Sequence, residues 1–364
     1  MNEIYQIAEI LKSGELSGFR AAPEYHLGGR FVRALEDKFC EYFGVKYAIA
    51  LNSATSTLHA SLIACDIHEG DEVIVSPYSF SSSASCVLMV GAKPVFADIQ
   101  DDIFCINPLK VLITPRTKAI IPVHLCGHPA KMNEIMVLAE WGNLYVIEDA
   151  AQAIGATYRN VKAGALGHCG IFSFNQSKHI NAGEGGMLIT NDDEIARKVR
   201  AVRNHGEVSD PDLKLLGYNY RMTEVVAAIA NERFKSLDKS IQIRIDNAVK
   251  LTEALSQIKG LTPPITYAGC RHVFCTYAIK FNKDIIGMHR DEFQDKMMQR
   301  GIYFGKGYVK PLYLLPIYEQ FGYKEGLCPV AERMYREELL VTDIVKDPDL
   351  DIEAIVKAIK DVLQ

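Results

Sequence analysis

Short apolar runs alternate with helix-like patterns along the chain from about residue 31 to residue 245. Val32, Leu35 and Phe39 recur at three- and four-residue spacing, which predicts the first helix. Strands are predicted where short apolar runs stand between helices, at residues 47–51, 72–75, 94–97, 119–123, 144–147, 171–174 and 187–190. Strands that alternate with helices in this way indicate an α/β fold, with a mostly parallel mixed sheet flanked by helices.

The pattern changes near the C-terminal third of the chain. A long helical stretch is predicted at about 222–257, followed by a strand at 276–281 and by helices at 289–300 and 351–363. We therefore expect a large domain over residues 1–245, which includes the N-terminal segment, and a smaller C-terminal α/β domain over residues 246–364. No Pro/Gly/Ser-rich linker marks the boundary between them.

Composition narrows the classes of partner. The 40 lysines and arginines face 45 aspartates and glutamates, a net charge of −5, whereas a nucleic-acid binder usually carries a basic surplus. No apolar stretch reaches the about 18 residues of a membrane span, and the N-terminus lacks the apolar run of a secretory signal. The nine scattered cysteines form no CxxC pair, which is typical of a reducing compartment. We expect a cytoplasmic protein that binds neither nucleic acid nor membrane.

Several common site motifs are missing from the sequence. It contains no GxGxxG after a strand, no GxxxxGK[ST], no HExxH and no GxSxG, so dinucleotide binding, P-loop chemistry, zincin proteolysis and hydrolase-elbow chemistry lose their usual support. Residues 124–128 contain His124, Cys126 and His128, which are metal-like side chains without a second cluster nearby in sequence. We interpret this stretch as a loop that lines a crevice, and we expect no metal site.

Ligands of parallel sheets bind at the carboxyl ends of the strands, so the residues after each apolar run are candidates. Small hydroxyl residues at 52–57 open a helix after the first strand, which fits either an anion cradle or an ordinary N-cap. Phe80 stands among small residues after the second strand, where it could stack on a flat ring or simply pack in its loop.

Two further strand ends carry ionisable side chains. Asp149 follows the strand at 144–147, and an acid there could hold a proton on a heterocyclic nitrogen, bind a metal, act as a base or cap a helix. Lys178 lies in a polar loop between a buried strand and the glycine-rich residues 183–186. Such a lysine is either solvated or a Schiff-base former. Together, a lysine, an acid, an aromatic ring and a hydroxyl-rich helix N-terminus meet the needs of pyridoxal phosphate.

An ordered set of motifs carries a family resemblance. The motifs lie at residues 51–55, 91–99, 122–125, 147–153, 172–178, 183–186, 203–206 and 217–222. With them the chain resembles the DegT/DnrJ/StrS-type sugar aminotransferases, which have the type I pyridoxal-phosphate fold. The resemblance covers most of the chain, and the set is far more specific than any one of its pieces.

The resemblance implies a role for each candidate residue. Lys178 would form the internal aldimine with pyridoxal 5'-phosphate, Asp149 would pair with the pyridine nitrogen, and Gln152 would approach the ring hydroxyl. The phosphate would be held by small residues, namely Ala54, Thr55, Ser56 and Ser173. Phe80 would stack on the ring.

The same resemblance implies the assembly and the reaction. Asn219 would reach the phosphate of the neighbouring subunit's cofactor, which makes a homodimer with shared active sites. The substrates would be a nucleotide-linked keto-deoxysugar and an amino donor, usually glutamate, and the reaction would be transamination.

Two rival interpretations stay open at the level of the sequence. Some relatives carry histidine in place of the lysine and act as dehydratases, and here His179 follows Lys178 directly. The five-residue spacing from Ser173 to Lys178 matches the family, so the lysine keeps its register. The second rival is a non-catalytic protein that senses a ligand with the same fold.

Overall fold

The computed structural model describes residues 2–19, 26–207 and 215–363. Within these stretches the strands are β1 (Tyr47–Leu51), β2 (Glu72–Val75), β3 (Lys93–Phe96), β4 (Thr117–Ile121), β5 (Tyr145–Asp149), β6 (Thr157–Tyr158), β7 (Val161–Lys162), β8 (Cys169–Ser173), β9 (Gly186–Thr190), β10 (Leu261–Thr262), β11 (Cys270–Arg271), β12 (Tyr277–Phe281), β13 (Gly305–Lys306) and β14 (Leu339–Thr342). The α-helices are α1 (Asn2–Ser13), α2 (Arg30–Phe43), α3 (Ala54–Ala64), α4 (Ser82–Met89), α5 (Met132–Gly142), α6 (Asp193–Arg203), α7 (Glu224–Phe234), α8 (Leu237–Leu255), α9 (Lys283–Ile286), α10 (Arg290–Met298), α11 (Pro329–Arg333) and α12 (Ile352–Leu363).

A central sheet holds the first two thirds of the fold together. Over the described residues its strand order is β1-β9-β8-β5-β4-β2-β3, and every neighbouring pair is parallel except those that β9 makes. The expected mostly parallel mixed sheet is therefore confirmed. Its central strands are buried on both faces, as Val73, Ile74 and Val75 in β2 show, because helices cover each side.

The predicted elements agree closely with the observed ones. The strands predicted at 47–51 and 72–75 coincide with β1 and β2, and the other predicted strands of the large sheet differ at their ends by one or two residues. The long helical stretch predicted at about 222–257 is helical in the structure and is divided into two helices, α7 and α8. Between them Ser236 donates its backbone N–H and its hydroxyl to the Arg233 carbonyl, which turns the chain and ends α7.

A second sheet belongs to the C-terminal part of the chain. It is antiparallel with strand order β10-β12-β14-β13, and α8, α10 and α12 pack around its core. Helix α8 runs without a break through residue 245, and Leu312 and Tyr313 pack into the core of the large sheet rather than that of the small one. The proposed division at 245 and 246 stays a prediction.

The direction of the strands decides where the candidate residues meet. Strands β1, β2, β4, β5 and β8 run the same way, so their carboxyl ends share one edge of the sheet. The antiparallel strand β9 begins at that edge, where Gly186 pairs with both Leu51 and Ser173. The starts of α3 and the glycine-rich turn are thereby neighbours, although they are more than a hundred residues apart in sequence.

A buried ion pair joins three elements behind this edge. The Arg203 side chain is fully buried, and its guanidinium donates to Glu36 Oε1 at 2.6 Å and to the Ala50 carbonyl at 3.1 Å. Ala50 N donates to the same Glu36 oxygen at 2.8 Å. Burial raises the pKa of Glu36 and lowers that of Arg203, and each charge partly offsets the shift of the other. The pair fixes α6 and α2 against β1.

Two general expectations can be compared with the structure. Among the described residues, no helix combines the length and the apolar character needed to cross a membrane. All nine cysteines lie within the described stretches and are free thiols. The expected cytoplasmic location stays a prediction.

We expect Arg203→Leu to lower the free energy of unfolding by about 3–5 kcal/mol, because it leaves the Glu36 carboxylate buried without its cation. Urea denaturation followed by circular dichroism measures this. The matched control is Arg197→Leu on the same helix, whose exposed pair with Glu194 should be worth only about 0.2–1 kcal/mol. The double variant Arg203→Leu/Glu36→Leu should recover much of the loss. Equal costs for the two single variants would contradict this role of the buried pair.

Candidate active site

The start of α3 offers unpaired backbone donors at the edge of the large sheet. Ser53 caps the helix, since its Oγ accepts from Ser56 N at 3.0 Å. The N–H groups of Ala54 and Thr55 come next in the helix and have no acceptor among the described residues. Ser56 is different: it is buried, and its hydroxyl donates to Asn52 Oδ1 at 2.6 Å. An anion here would bind chiefly to backbone N–H groups.

Gly186 shows how tightly this cradle is built. A Cβ added at Gly186 would lie 2.5 Å from both the carbonyl carbon and the oxygen of Ser53. A larger residue on β9 would therefore push the first turn of α3 away from the sheet. The cradle thus depends on glycine at this position.

The two acids at the end of β5 face opposite sides of the sheet, as successive strand residues do. Glu148 is fully buried and accepts from three backbone N–H groups of residues 164–167 at 2.5–2.7 Å. It also accepts from His124 Nε2 at 2.8 Å, while His124 Nδ1 accepts from Ala130 N at 3.0 Å. Glu148 is therefore a structural acid, and Asp149 is the one that faces the crevice.

Asp149 is a buried carboxylate without a cationic partner among the described residues. Its Oδ2 accepts from Ser83 Oγ at 2.7 Å and its Oδ1 accepts from Ala151 N at 3.2 Å. Ser83 is in turn 2.8 Å from the hydroxyl of Ser79. A buried anion held only by neutral donors is costly unless a positive group reaches it. A protonated pyridine nitrogen is such a group, so the residues present fit pyridoxal phosphate.

Gln152 bridges two parts of the chain beside Asp149. Its Oε1 accepts from Cys126 N at 2.9 Å, and its Nε2 donates to the Tyr308 hydroxyl at 2.7 Å. The sequence interpretation missed Tyr308. The signal that could have found it is an aromatic residue beside two glycines, Gly305 and Gly307, which is the kind of signal that singled out Phe80.

Lys178 stands on a loop that its own backbone closes. Phe174 N donates to the Gly185 carbonyl at 2.9 Å, and Lys178 N donates to the Asn175 carbonyl at 2.9 Å. The lysine side chain is half-buried, and its charge acts on the Cys126 thiol and on the His179 ring. Cys126 in turn donates its backbone N–H to Gln152 Oε1.

His179 has a structural environment of its own. It is buried, its Nε2 bonds to the Val273 carbonyl at 3.2 Å, and its Nδ1 has no partner among the described residues. Burial lowers the pKa of His179 to about 3, so the ring is neutral at ordinary pH. His179 is therefore bonded to the segment that contains Val273 and has a structural role.

The three remaining candidates, Phe80, Ser173 and Asn219, are more exposed or make fewer hydrogen bonds than Asp149 and Gln152. Phe80 is 61% exposed, and Ser173 Oγ accepts from Asn175 N at 3.3 Å. Asn219 is exposed, its Oδ1 accepts from Arg221 Nε at 3.0 Å, and its carbonyl accepts from Asn52 Nδ2 at 3.4 Å. Asn219 thus stands beside the residue that precedes the α3 cap. The roles implied for these three stay predictions.

His128 of the expected crevice loop, and His272, which contacts that loop, both have protein partners. His128 Nδ1 bonds to the Pro129 carbonyl at 2.7 Å, and His272 Nε2 bonds to the Cys126 carbonyl at 3.0 Å. Burial lowers the pKa of His128 to about 4 and that of His272 to about 3. Within the described part of the chain, no group of three or more His, Cys, Asp or Glu side chains is placed to hold a metal ion.

Known proteins resemble this chain over nearly its whole length. Residues 13–360 match the model of the DegT/DnrJ/EryC1/StrS aminotransferase family. The GDP-perosamine synthase of Caulobacter vibrioides is 37% identical over 342 residues, which cover 92% of this chain and 91% of that protein. The UDP-N-acetyl-3-dehydro-alpha-D-glucosamine 3-aminotransferase of Acidithiobacillus ferrooxidans is 39% identical over 305 residues, which cover 83% and 80%.

A solved structure extends the similarity to the fold. DesV of S. venezuelae, determined in complex with a ketimine intermediate, superimposes with a TM-score of 0.89 at 31% identity. The superposition covers 100% of this chain and 94% of that one. The expected type I pyridoxal-phosphate fold is confirmed.

The buried histidines predict a loss of stability in acid. Below the ordinary histidine pKa of about 6.5, His179 and His272 bind protons in the unfolded chain but not in the folded one. The free energy of unfolding therefore falls as the pH drops from about 6.5 towards 3. His272→Gln removes one of the two histidines that bind a proton only in the unfolded chain, while it keeps a side-chain N–H donor. We expect the slope of unfolding free energy against pH between 6 and 4 to decrease by about 1.4 kcal/mol per pH unit.

Urea denaturation at a series of pH values measures this slope. The internal control is the range from pH 7.5 to 9, where histidine is neutral in both states and the two proteins should have equal slopes. An unchanged slope in acid would show that His272 titrates normally in the folded protein.

Proposed function

Because the chain belongs to the DegT/DnrJ/EryC1/StrS aminotransferase family and is a sugar aminotransferase, we propose that it transfers an amino group from glutamate to a nucleotide-linked keto-deoxysugar. The family implies pyridoxal phosphate as the cofactor. The observation that carries the proposal is the buried Asp149 carboxylate, which lacks a cation among the described residues at the sheet edge where the α3 donors and the Lys178 loop also lie.

Each part of the cofactor has proposed partners at this edge. The N–H groups of Ala54 and Thr55 would hold the phosphate, with help from the hydroxyl of Ser173. Asp149 would hold the ring nitrogen and Gln152 the ring hydroxyl. Phe80 would cover the ring, and the Lys178 amine would carry the covalent link. Ser56 would also lie at the phosphate, and in this structure its hydroxyl is bonded to Asn52 and its backbone N–H to the helix cap.

The chain's own groups then do the acid–base work. When bound, the cofactor supplies an electron sink for the carbon that loses its proton. Asp149 keeps that sink charged, because its carboxylate stabilises a protonated ring nitrogen. The Lys178 amine accepts the proton from the α-carbon of the amino donor and later returns a proton to the sugar carbon that receives the amine. Donor and acceptor use one site in turn, so the kinetics should be ping-pong.

The names of the relatives support the class of sugar substrate. The Caulobacter protein is named for a GDP-linked sugar and the Acidithiobacillus protein for a UDP-linked one. Both are nucleotide-linked, which supports a nucleotide-linked substrate here. The two differ in the nucleotide, so the proposal extends to the class of substrate and not to one member of it.

The proposed reaction differs from its two rivals in its products and its spectrum. Lysine at position 178 favours transamination over dehydration, because an amine is needed at that position to bind the cofactor covalently. A dehydratase would release water from the sugar without consuming glutamate. A ligand-sensing protein would convert neither substrate.

We further propose a homodimer in which Asn219 completes the partner's phosphate site. Support comes from the family resemblance and from the exposure of Asn219, which leaves its side chain accessible to a second chain. Its side chain is oriented by the Arg221 guanidinium in its own chain.

Lys178→Ala should abolish amino transfer while pyridoxal phosphate still binds through its phosphate and ring. The expected loss of rate is at least about 10²–10⁴-fold, the range for a positioned acid–base group. The assay offers glutamate and a panel of nucleotide-linked ketosugars, and mass spectrometry detects the aminated sugar. The matched control is Lys118→Ala at an exposed position on β4, which should keep full activity. Activity of Lys178→Ala near that of the control would refute the assignment.

Mixing two inactive variants tests the shared site. If Asn219 acts across the interface, a heterodimer of a Lys178→Ala chain and an Asn219→Ala chain has one site with both lesions and one site with neither. We expect the mixture to recover activity that each homodimer lacks. If Asn219 serves its own subunit, every site keeps one lesion and mixing restores nothing. An active monomer of 40.6 kDa in solution would also exclude a shared site.

A further inference from the structure

Tyr308 connects the C-terminal part of the chain to the site. Its backbone N–H donates to the Tyr78 hydroxyl at 2.9 Å, and the two rings meet edge to face with centroids 5.9 Å apart. Tyr78 is fully buried just after β2. The backbone and the ring of Tyr308 are therefore both fixed against the large sheet, and its hydroxyl reaches Gln152.

Gly307 makes this approach possible. Its φ is +62°, a conformation that side chains rarely adopt, and a Cβ there would lie 2.8 Å from the Tyr335 carbonyl oxygen. Its N–H donates to the Leu339 carbonyl at 2.7 Å. The turn is thus tied to β14, and it directs the next residue towards the sheet edge.

The Gln152 amide is held between partners of opposite polarity. Cys126 N–H can only donate, so it selects the amide oxygen as its partner at 2.9 Å and excludes the flipped amide. The Tyr308 oxygen then accepts one of the two N–H bonds of Nε2 at 2.7 Å. The second N–H has no acceptor in residues 2–19, 26–207 and 215–363, so one donor is left to a ligand.

We propose that Tyr308 is a positioning residue, which holds the remaining N–H of Gln152 towards the ring hydroxyl of bound pyridoxal phosphate. The proposal rests on the proposed function, since it needs the cofactor at this edge. Burial raises the pKa of Tyr308 well above its ordinary value, so the hydroxyl stays protonated and neutral over the working range of pH. Tyr308 touches Gln152 and acts through it.

The effect should appear in the spectrum of the bound cofactor. A hydrogen bond donated to the ring oxygen stabilises the negative charge that this oxygen bears when the neighbouring Lys178 nitrogen has lost its proton. Loss of the donor therefore favours the protonated nitrogen and raises the pH midpoint of the change in visible absorbance. This readout needs no substrate and no turnover.

The experiment titrates the absorbance of the pyridoxal-phosphate-loaded protein and of its variants from pH 5 to 10. Tyr308→Phe should raise the midpoint by about 0.5–1 pH unit, the equivalent of one net hydrogen bond. Gln152→Ala should raise it at least as far. The double variant Tyr308→Phe/Gln152→Ala should match Gln152→Ala alone, because one residue acts through the other.

Tyr78→Phe is the matched control. It removes a buried hydroxyl that bonds to the same residue 308, but at its backbone and not at Gln152. Its midpoint should rise less than that of Tyr308→Phe, because the bond from Gln152 to the Tyr308 hydroxyl is kept. If Tyr78→Phe reproduces the shift, Tyr308 merely fastens the two parts of the chain. The proposal also fails if Tyr308→Phe leaves the midpoint unchanged, or if it shifts the midpoint equally when Gln152 is already alanine.

Two further results separate this proposal from the proposed function. The wild-type protein loaded with pyridoxal phosphate should show a visible absorbance band that is lost in Lys178→Ala. If it shows no such band, both the proposed function and the positioning role of Tyr308 are overturned. If the band is present but titrates identically in Tyr308→Phe, only the positioning role is overturned. If Tyr308→Phe does not fold, Gln152→Glu replaces it as the test. Its carboxylate can still accept from Cys126 N and from the Tyr308 hydroxyl, but it has no N–H to give. Its midpoint should rise, and an unchanged midpoint would refute the positioning role.

Discussion

The buried carboxylate of Glu148 is the constraint on which the site depends. Four donors surround it, three from the backbone of residues 164–167 and one from His124. Because the carboxylate itself is fully buried, these four bonds fix the end of β5 against residues 164–167 and His124. Strand alternation then turns Asp149 to the opposite side, into the crevice. A carboxylate that does no chemistry thus orients the one that faces the candidate cofactor site.

Much of the fold and of the site could be predicted from the sequence, because both follow from local pattern. The strands of the large sheet are apolar runs, and Asp149 and Lys178 follow such runs directly, where parallel strands bring their ends together. The division of 222–257 into two helices could not be predicted, since it depends on which carbonyl Ser236 bonds to. The fate of the Ser56 hydroxyl likewise depends on the orientation of Asn52.

The contact of Tyr308 with Gln152 is the clearest feature that local sequence pattern could not predict. Tyr308 lies in the loop after β13 of the second sheet, and it reaches the site because Gly307 adopts a left-handed conformation tied to β14. Nothing in the residues around 308 reports on the position of Gln152. The role of Asn219 likewise comes from the family resemblance, because no local pattern indicates where its side chain lies. Local sequence pattern does not predict how one part of the chain packs against another.

The bond between Gln152 and Tyr308 spans 156 residues, and this separation has a consequence for the newborn chain. Synthesis proceeds from the N-terminus, and domains tend to fold as they leave the ribosome. Strand β5, which carries Asp149, and the loop after β8, which carries Lys178, can assemble while the ribosome is still translating the last third of the message. Gln152 acquires its second partner only after codon 308 has been read and its product released from the exit tunnel. The proposed setting of the cofactor's ring hydroxyl, which needs this bond, is therefore complete only at the end of translation.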